Sequence, residues 1–554
     1  MSDPTVEAAS QQSTRSSQSI KSAGIVSLAV MGSRVLGLIR EQVFAKYFGA
    51  GMEYDAFLTA FRIPNLLRDL FAEGALSSAF VTTFSQYLAR DGDEAAWRLA
   101  NLVTNALLII LSLITLVGIW FSPELVNTIA SGFVQIPGKS ELTVTMTRIM
   151  FPFLLMVALA SVAMGILNSK HRFGIPASAS TMFNVGSIVG GLICAYLMPR
   201  YFNQPAKEVA IIGMAIGTLI GGALQFLIQV PSLFSVGYHY QPILSWQDPG
   251  VRQVLKLMAP AIIGTAAVQV NVLINSNFAS LIPGNGPVAW LGYAFRLMQF
   301  PIGVFGVAIA TVTAPAIARM KARKDMVEFS STLTDALGMV FLLTIPSAIG
   351  LAVIGREIVA LLYQYGEFTA SDTNQTGAAL AGYAVGLAGY AAIKVLTPAY
   401  YALDNVRVPM YVSLSSILLN YVLNWTMINQ LGWGHRGLAL ATSIVALVNF
   451  VVLFVVLRNK LGELGEQRLL ISFIKISLAS AIMGLLAWST SQVVMSPLKS
   501  LLASSGSSAL IGRAIQTGTA LAVAGLVFYL ACRLLKVAEF DRVMAVLGRR
   551  LGKR

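Results

Sequence analysis

About fourteen apolar runs, each long enough to cross a bilayer, leave this 554-residue chain one class of fold. Backbone N–H and C=O groups in hydrocarbon must be satisfied internally, and runs of about 20 residues do so as helices. The runs fall near 24–48, 54–89, 98–122, 141–168, 176–198, 209–235, 252–282, 288–319, 330–362, 374–404, 407–430, 436–459, 469–494 and 509–536. The expected fold is therefore an all-α polytopic membrane protein. Hydrophobic residues at 56%, charged residues at 12% and a mean hydropathy of +0.71 fit no soluble domain.

The net charge of +14 does not point to nucleic acid. The bases sit in alternate short connections (Arg90 and Arg98; Lys170 and Arg172; Arg319, Lys321, Arg323 and Lys324; Arg458, Lys460 and Arg468), which is a topology signal that places both termini in the cytoplasm. Residues 1–22 are Ser/Gln-rich without an apolar core and read as a disordered cytoplasmic tail. Residues 537–554 read as a basic cytoplasmic tail, either solvated or near anionic headgroups. Cys194 and Cys532 form no disulfide framework or zinc spacing. No Walker-type loop is present, so no ATP site or other cofactor is expected.

The first two runs carry ionisable side chains well inside their length: Arg34, Arg40, Glu41, Asp55, Arg62, Arg68, Asp69 and Glu73. Charge at bilayer depth is costly unless it faces protein or a wet cavity, so it marks a pathway. At about 1.5 Å per residue, Arg40, Arg62 and Arg296 lie about 13 Å below the outer turns, and Arg34 and Arg68 about 21 Å. Asp55, Arg62, Asp69 and Glu73 recur at helical spacing and would share one stripe of the second helix, kinked at Pro64. The bland alternative is a set of ion pairs fixing helix register, such as Arg62 with Asp69 or Glu73. Arginines outnumber convenient acids, however, and guanidinium forks suit a diphosphate. Asn420 and Asn424, one turn apart, could donate to a sugar, ligate a cation or bridge helices. Lys394 and Asp404 could pair or respond to voltage.

The same six-helix unit recurs with a shift of 234 positions. Ala60-Phe61-Arg62-Ile63 matches Ala294-Phe295-Arg296-Leu297, Asp91 and Glu94 match Asp325 and Glu328, and Phe44-Ala45 matches Phe278-Ala279. An even helix number gives both copies one orientation, hence pseudo-twofold lobes with a substrate site between them near the midplane. The expected division is an N-lobe at 23–235, a C-lobe at 251–459 and two further helices at 469–536. The copies differ in charge: Arg34, Arg40, Glu41 and Asp55 correspond to Val268, Ile274, Asn275 and Ala289.

Ser33-Arg-Val-Leu-Gly-Leu-Ile-Arg40, Phe48-Gly-Ala-Gly-Met52 before Asp55, and Ile63-Pro-Asn-Leu-Leu-Arg68 with Phe71-Ala-Glu-Gly-Ala75 strongly resemble the MurJ (MviN) family. So do Arg172-Phe-Gly-Ile-Pro176, Arg296-Leu-Met-Gln-Phe-Pro301, Gln364-Tyr-Gly-Glu-Phe-Thr369 and Lys394-Val-Leu-Thr-Pro398. The resemblance implies the multidrug/oligosaccharidyl-lipid/polysaccharide exporter fold with fourteen helices. It also implies a bacterial inner-membrane flippase, not an enzyme, that moves lipid II to the periplasmic leaflet for cell-wall synthesis. Lipid II and membrane lipids are then the expected partners, with the cell-wall synthesis machinery open as a further one. Under that resemblance Arg34, Arg40, Arg68 and Arg296 would contact the diphosphate. Ser33, Asp55, Arg62, Asn65 and Glu73 would serve gating or cavity organisation, and the last two helices would form a groove for the lipid tail. Family members carry acids beside and after the eighth-helix arginine, where this chain has Phe295 and Gln299.

Other readings are a polysaccharide-repeat flippase or drug exporter of the same fold, and a membrane enzyme acting on polyprenyl diphosphates. The enzyme would need clustered carboxylates for magnesium, and only Asp69 and Glu73 come near. Alternating access driven by membrane potential or an ion gradient is the expected mechanism.

Overall fold

The computed structural model describes residues 29–201, 205–462, 464–498, 501 and 506–551, so the expected tail at 1–22 lies outside the described residues. Among the described residues all regular structure is helical. Helix α1 covers 29–48. It is followed by α2 (Met52–Arg68), a π-helical stretch (Asp69–Leu76), α3 (Ser77–Arg90), α4 (Gly92–Trp120) and α5 (Ser122–Ile129). Then come α6 (Lys139–Met150), α7 (Phe153–Ser169), α8 (Gly174–Leu197), α9 (Ala206–Leu227), α10 (Val230–Ser235) and α11 (Pro249–Ser280). Next are α12 (Pro287–Pro301), a second π stretch (Ile302–Gly306), α13 (Val307–Ala322), α14 (Met326–Tyr363), α15 (Ala370–Ala384) and α16 (Leu387–Ala402). The chain ends with α17 (Arg407–Trp425), a third π stretch (Thr426–Gln430), α18 (Gly434–Leu461), α19 (Glu466–Met495), α20 (Ser507–Leu534) and α21 (Ala538–Leu551).

Among the described residues nine helical segments are long and apolar enough to span a membrane, or eleven with two bent pairs. The other three expected spans are also helical, at 29–48, from α2 to α3, and at α17 with its π turn. The first two carry the intramembrane charges, and α17 carries Ser413, Ser415, Ser416, Asn420 and Asn424, which lower their apolarity.

Helix breaks follow local chemistry. Pro152 separates α6 from α7 because it lacks the N–H that would continue the ladder. α11 bends by 50° between its Pro249–Pro260 and Thr265–Ser280 parts, where Pro260 removes another ladder bond. The offset of 234 also relates element boundaries: α7 starts at Phe153 and α16 at Leu387, and α4 starts at Gly92 and α14 at Met326. The helical break after Trp120 corresponds to Ile354, whose φ of −112° and ψ of 16° interrupt α14. The π stretch after α2 corresponds, one residue out of step, to the π stretch after α12.

The chain divides into two compact units, Met1–Phe44 with Gly51–Gln269, and Ala45–Ala50 with Val270–Arg554. The division falls inside α11 rather than in the 236–250 connection, for a packing reason. Val251, Val254 and Met258 lie in the core of the first unit with Leu99, Val103, Phe153 and Val157. The connection itself is strapped to α4. Asn101 accepts from the Tyr238 hydroxyl (2.8 Å) and the Gln241 N–H (3.0 Å), and Asn105 donates to the carbonyls of Gln241 and Ile243, both at 2.8 Å.

In the first unit α8 and α9 pack backbone to backbone: a Cβ on Gly217 would stand 2.3 Å from the Gly191 Cα. Small residues let membrane helices approach for dispersion contacts. Gly217→Val is expected to cost about 1–3 kcal/mol by overpacking, seen as a lower thermal midpoint of the purified protein.

The core of the second unit joins α14, α16, α18, α19 and α20 through residues such as Phe329, Leu337, Leu396, Leu457, Ile476 and Cys532. A smaller cluster of Ile354, Met483, Ala487, Ala520 and Ala524 seats α19 and α20 on α14. The tip of α1 belongs here too. The Glu367 N–H donates to the Lys46 carbonyl (3.0 Å), and Gly366, with φ +59°, leaves no room for a Cβ, which would stand 2.1 Å from that oxygen. Within the expected basic tail, Ala538–Leu551 form helix α21. α21 buries Phe540 and Glu539, and Glu539 accepts from the Ser472 hydroxyl at 2.8 Å. Apolar residues at Phe540, Val543 and Met544 repeat at three and four positions and give it a face to pack.

Candidate arginine site on the membrane helices

In the first unit, α1 places Ser33, Arg34, Arg40 and Glu41 along its length. Asn184 of α8 donates to the Ser33 carbonyl (3.2 Å) and approaches its hydroxyl (3.4 Å), which fixes this part of α1. Arg34 is exposed, and among the described residues it has no hydrogen bond or ion pair. Arg40 lies over the Phe183 ring at 5.3 Å and 3.5 Å from the Glu41 carboxylate, with its side chain 12% exposed. Glu41 is itself buried and accepts a 2.6 Å hydrogen bond from the Tyr54 hydroxyl of α2. One acid thus serves two partners and ties α1 to α2.

Farther along α2, Arg62 and Asn65 are half-buried. Arg68 donates through Nε (3.2 Å) and an Nη (2.8 Å) to one oxygen of Asp69, whose other oxygen accepts from Gln269 (3.2 Å). Asp69 is therefore engaged by Arg68 and Gln269. The stripe expected for Asp55, Arg62, Asp69 and Glu73 meets a change of winding before its last member. From Asp69 the helix is π-wound, so the 3.6-residue spacing stops at Arg68. Such π turns concentrate at functional sites. Glu73 lies on this turn, and its side chain is outside the described residues.

Asp55, expected near the outer mouth, is fully enclosed. Its carboxylate meets the Lys139 ammonium at 2.8 Å, with side-chain exposures of 0% and 1%. The Phe133 ring closes over the ammonium at 4.3 Å. The sequence offered one signal for Lys139, a lysine directly after Gly138 at the edge of an apolar run.

In the second unit, α12 presents Arg296 in an exposed position. Phe295 packs edge-on against Tyr383 at 5.4 Å, and Gln299 is exposed. A carboxylate gate at these two positions has no counterpart in this chain. The N-terminal end of α12 is held by Trp290, which donates to Asp372 (2.9 Å) within the capping box of Thr369 and Asp372.

Asn420 and Asn424 bridge helices. Both donate to the Asn275 carboxamide oxygen, at 3.0 and 2.7 Å, and Asn271 donates to Ser416 (3.0 Å). The pair thereby fastens α17 to α11. Lys394 and Asp404 are both exposed and form no ion pair with each other among the described residues. Among the described residues no group of three His, Cys, Asp or Glu side chains could hold a metal.

The charge pattern is a surplus of guanidinium on membrane helices. Leaving aside Asp55, which pairs with Lys139, and Glu53 in the first turn of α2, the four arginines Arg34, Arg40, Arg62 and Arg68 share this stretch of sequence with three acids, Glu41, Asp69 and Glu73. Arg296 adds another cation on the second unit.

The family model described as lipid II flippase MurJ matches residues 44–504. The lipid II flippase MurJ of Burkholderia cenocepacia is 36% identical over 432 residues, covering 77% of this chain and 81% of that protein. A probable lipid II flippase MurJ of Vibrio cholerae is 35% identical over 484 residues, covering 86% and 90%. A solved structure of lipid II flippase MurJ in an inward closed conformation superposes with a TM-score of 0.72 at 28% identity, covering 92% of this chain and 99% of that one. An inward-facing multidrug transporter of the MATE family shares the fold, with a TM-score of 0.66 at 16% identity over 78% of this chain and 96% of that one. This multi-pass membrane protein belongs to the lipid II flippase MurJ family.

Proposed function

We propose that the chain moves lipid II from the cytoplasmic to the periplasmic leaflet of the bacterial inner membrane by alternating access. Family membership supports the substrate class, and the observation that carries the residue-level reading is the guanidinium surplus on α1 and α2. Arg34, Arg40 and Arg68 of the first unit and Arg296 of the second are the proposed diphosphate contacts. Charge-assisted bonds from a guanidinium fork are short and about twice as strong as neutral ones, so a doubly anionic linkage is a suitable counterion. Arg34 is exposed and available, while Arg40 is held ready by Phe183. Ser33, Arg62, Asn65 and Glu73 are proposed to serve gating or cavity organisation in the first unit, and α19 with α20 to receive the polyprenyl tail. Both termini are proposed to lie in the cytoplasm.

Membrane potential is the proposed driving force. An outward-moving anion gains about 2.3 kcal/mol per charge per 100 mV from an inside-negative voltage. Purified protein in liposomes should therefore exchange labelled lipid II faster when such a voltage is imposed. Excess unlabelled lipid II should compete, while polyprenyl-free cationic drugs should not. Competition by the drugs alone would favour a drug exporter of the same fold. Labelled lipid II recovered as a hydrolysed product would favour an enzyme.

A further inference from the structure

We propose that Lys139 is a positioning residue. Its enclosed ion pair with Asp55 stations α2, and the Asp55 charge serves Lys139 rather than a gate or the cargo. Asp55 lies in the first turn of α2, where a carboxylate suits the helix dipole. Lys139 is the first residue of α6, where an ammonium opposes that dipole. An enclosed lysine there requires an acid, and Asp55 at 2.8 Å is that acid. The Phe133 ring and 0–1% exposure shut both groups away from any mobile ligand. The pair therefore joins α2, which carries Arg62 and Arg68, to the start of α6.

The second unit shows what this junction needs. At the offset of 234, Asp55 and Lys139 correspond to Ala289 on α12 and Thr373 on α15, both buried. The Thr373 hydroxyl is satisfied locally, by the Thr369 carbonyl at 3.1 Å and the Gln364 side chain at 3.2 Å. The corresponding junction thus has no ion pair at these two positions and is fastened one residue away by the neutral Trp290 indole donating to Asp372 at 2.9 Å, as expected if the first unit's pair sets position only. Removing one partner of a buried pair strands a charge, whereas replacing both is often neutral.

The test compares Asp55→Ala, Lys139→Met and the double variant Asp55→Ala/Lys139→Thr, which copies the second unit's junction. Each single variant is expected to lose several degrees of thermal midpoint. Below its unfolding transition, each should bind lipid II about tenfold more weakly, the fold-change of about 1.4 kcal/mol, with a matching loss of exchange. The double variant should recover midpoint, binding and exchange together. A double variant with a restored midpoint but no exchange would show that the Asp55 charge acts in transport itself. A double variant less stable than either single, or a Lys139→Met protein with wild-type exchange, would also overturn the proposal. The activity readout rests on the lipid II reading, whereas the midpoint comparison does not. A wild type that fails to exchange lipid II therefore faults that reading and leaves the pair testable.

Discussion

Replacing Arg296 by alanine is expected to bring lipid II exchange to the protein-free background while membrane insertion is retained. Arg296 is exposed on α12, so its truncation opens no core cavity. What it removes is a charge-assisted contact, about 1.5–3 kcal/mol or roughly a ten- to hundredfold change in affinity for an anionic headgroup. Loss of a single guanidinium matters most here because the second unit has no counterparts to Arg34 and Arg40, carrying Val268 and Ile274 instead. Arg296→Lys should recover part of the exchange, since an ammonium keeps the charge but not the planar fork. Reconstitution at matched protein density, with scrambling read by a leaflet-restricted label, checks both variants.

The second large effect concerns stability. Asn275→Leu is expected to lower the thermal midpoint more than any other single change among the polar residues of α11 and α17. Asn275 supplies one oxygen to both Asn420 and Asn424, which are 2% and 0% exposed. Hydrogen bonds between membrane helices average about 0.6 kcal/mol, because partners are easily exchanged. Orphaning a buried donor costs about 1–3 kcal/mol; this substitution takes the acceptor from Asn420 and leaves Asn424 only its 3.4 Å bond to the Asn420 oxygen. The second figure governs here, since both amides are enclosed. Thermal unfolding in detergent with a lipid additive measures it, and an unchanged midpoint would mean that the cluster does not hold α17 to α11.

Much of the fold was legible because bilayer length and apolarity dictate helices, and the 234 offset appears in the chain before any coordinates. The arginines were legible for the same reason, being anomalous at depth. Their partners were not. Lys139 lies 84 residues from Asp55, and Gln269 lies 200 residues from Asp69, so no local pattern links them. The π turn at Asp69–Leu76 was hidden because a helical stripe drawn through Pro64 assumes one winding throughout. The helix α21 could have been read from Phe540, Val543 and Met544, but its basic ends suggested a solvated tail. That the compact units divide inside a continuous helix was not legible, because the loop-like connection before it is strapped to Asn101 and Asn105 through contacts distant in sequence.

The claim that guanidinium groups clasp the diphosphate of lipid II is tested most directly by leaflet exchange of purified lipid II in liposomes, comparing wild type with Arg40→Ala and Arg296→Ala. Wild-type exchange well above background, with both variants at background and fully inserted, is the predicted result. Exchange by both variants at the wild-type rate would contradict it.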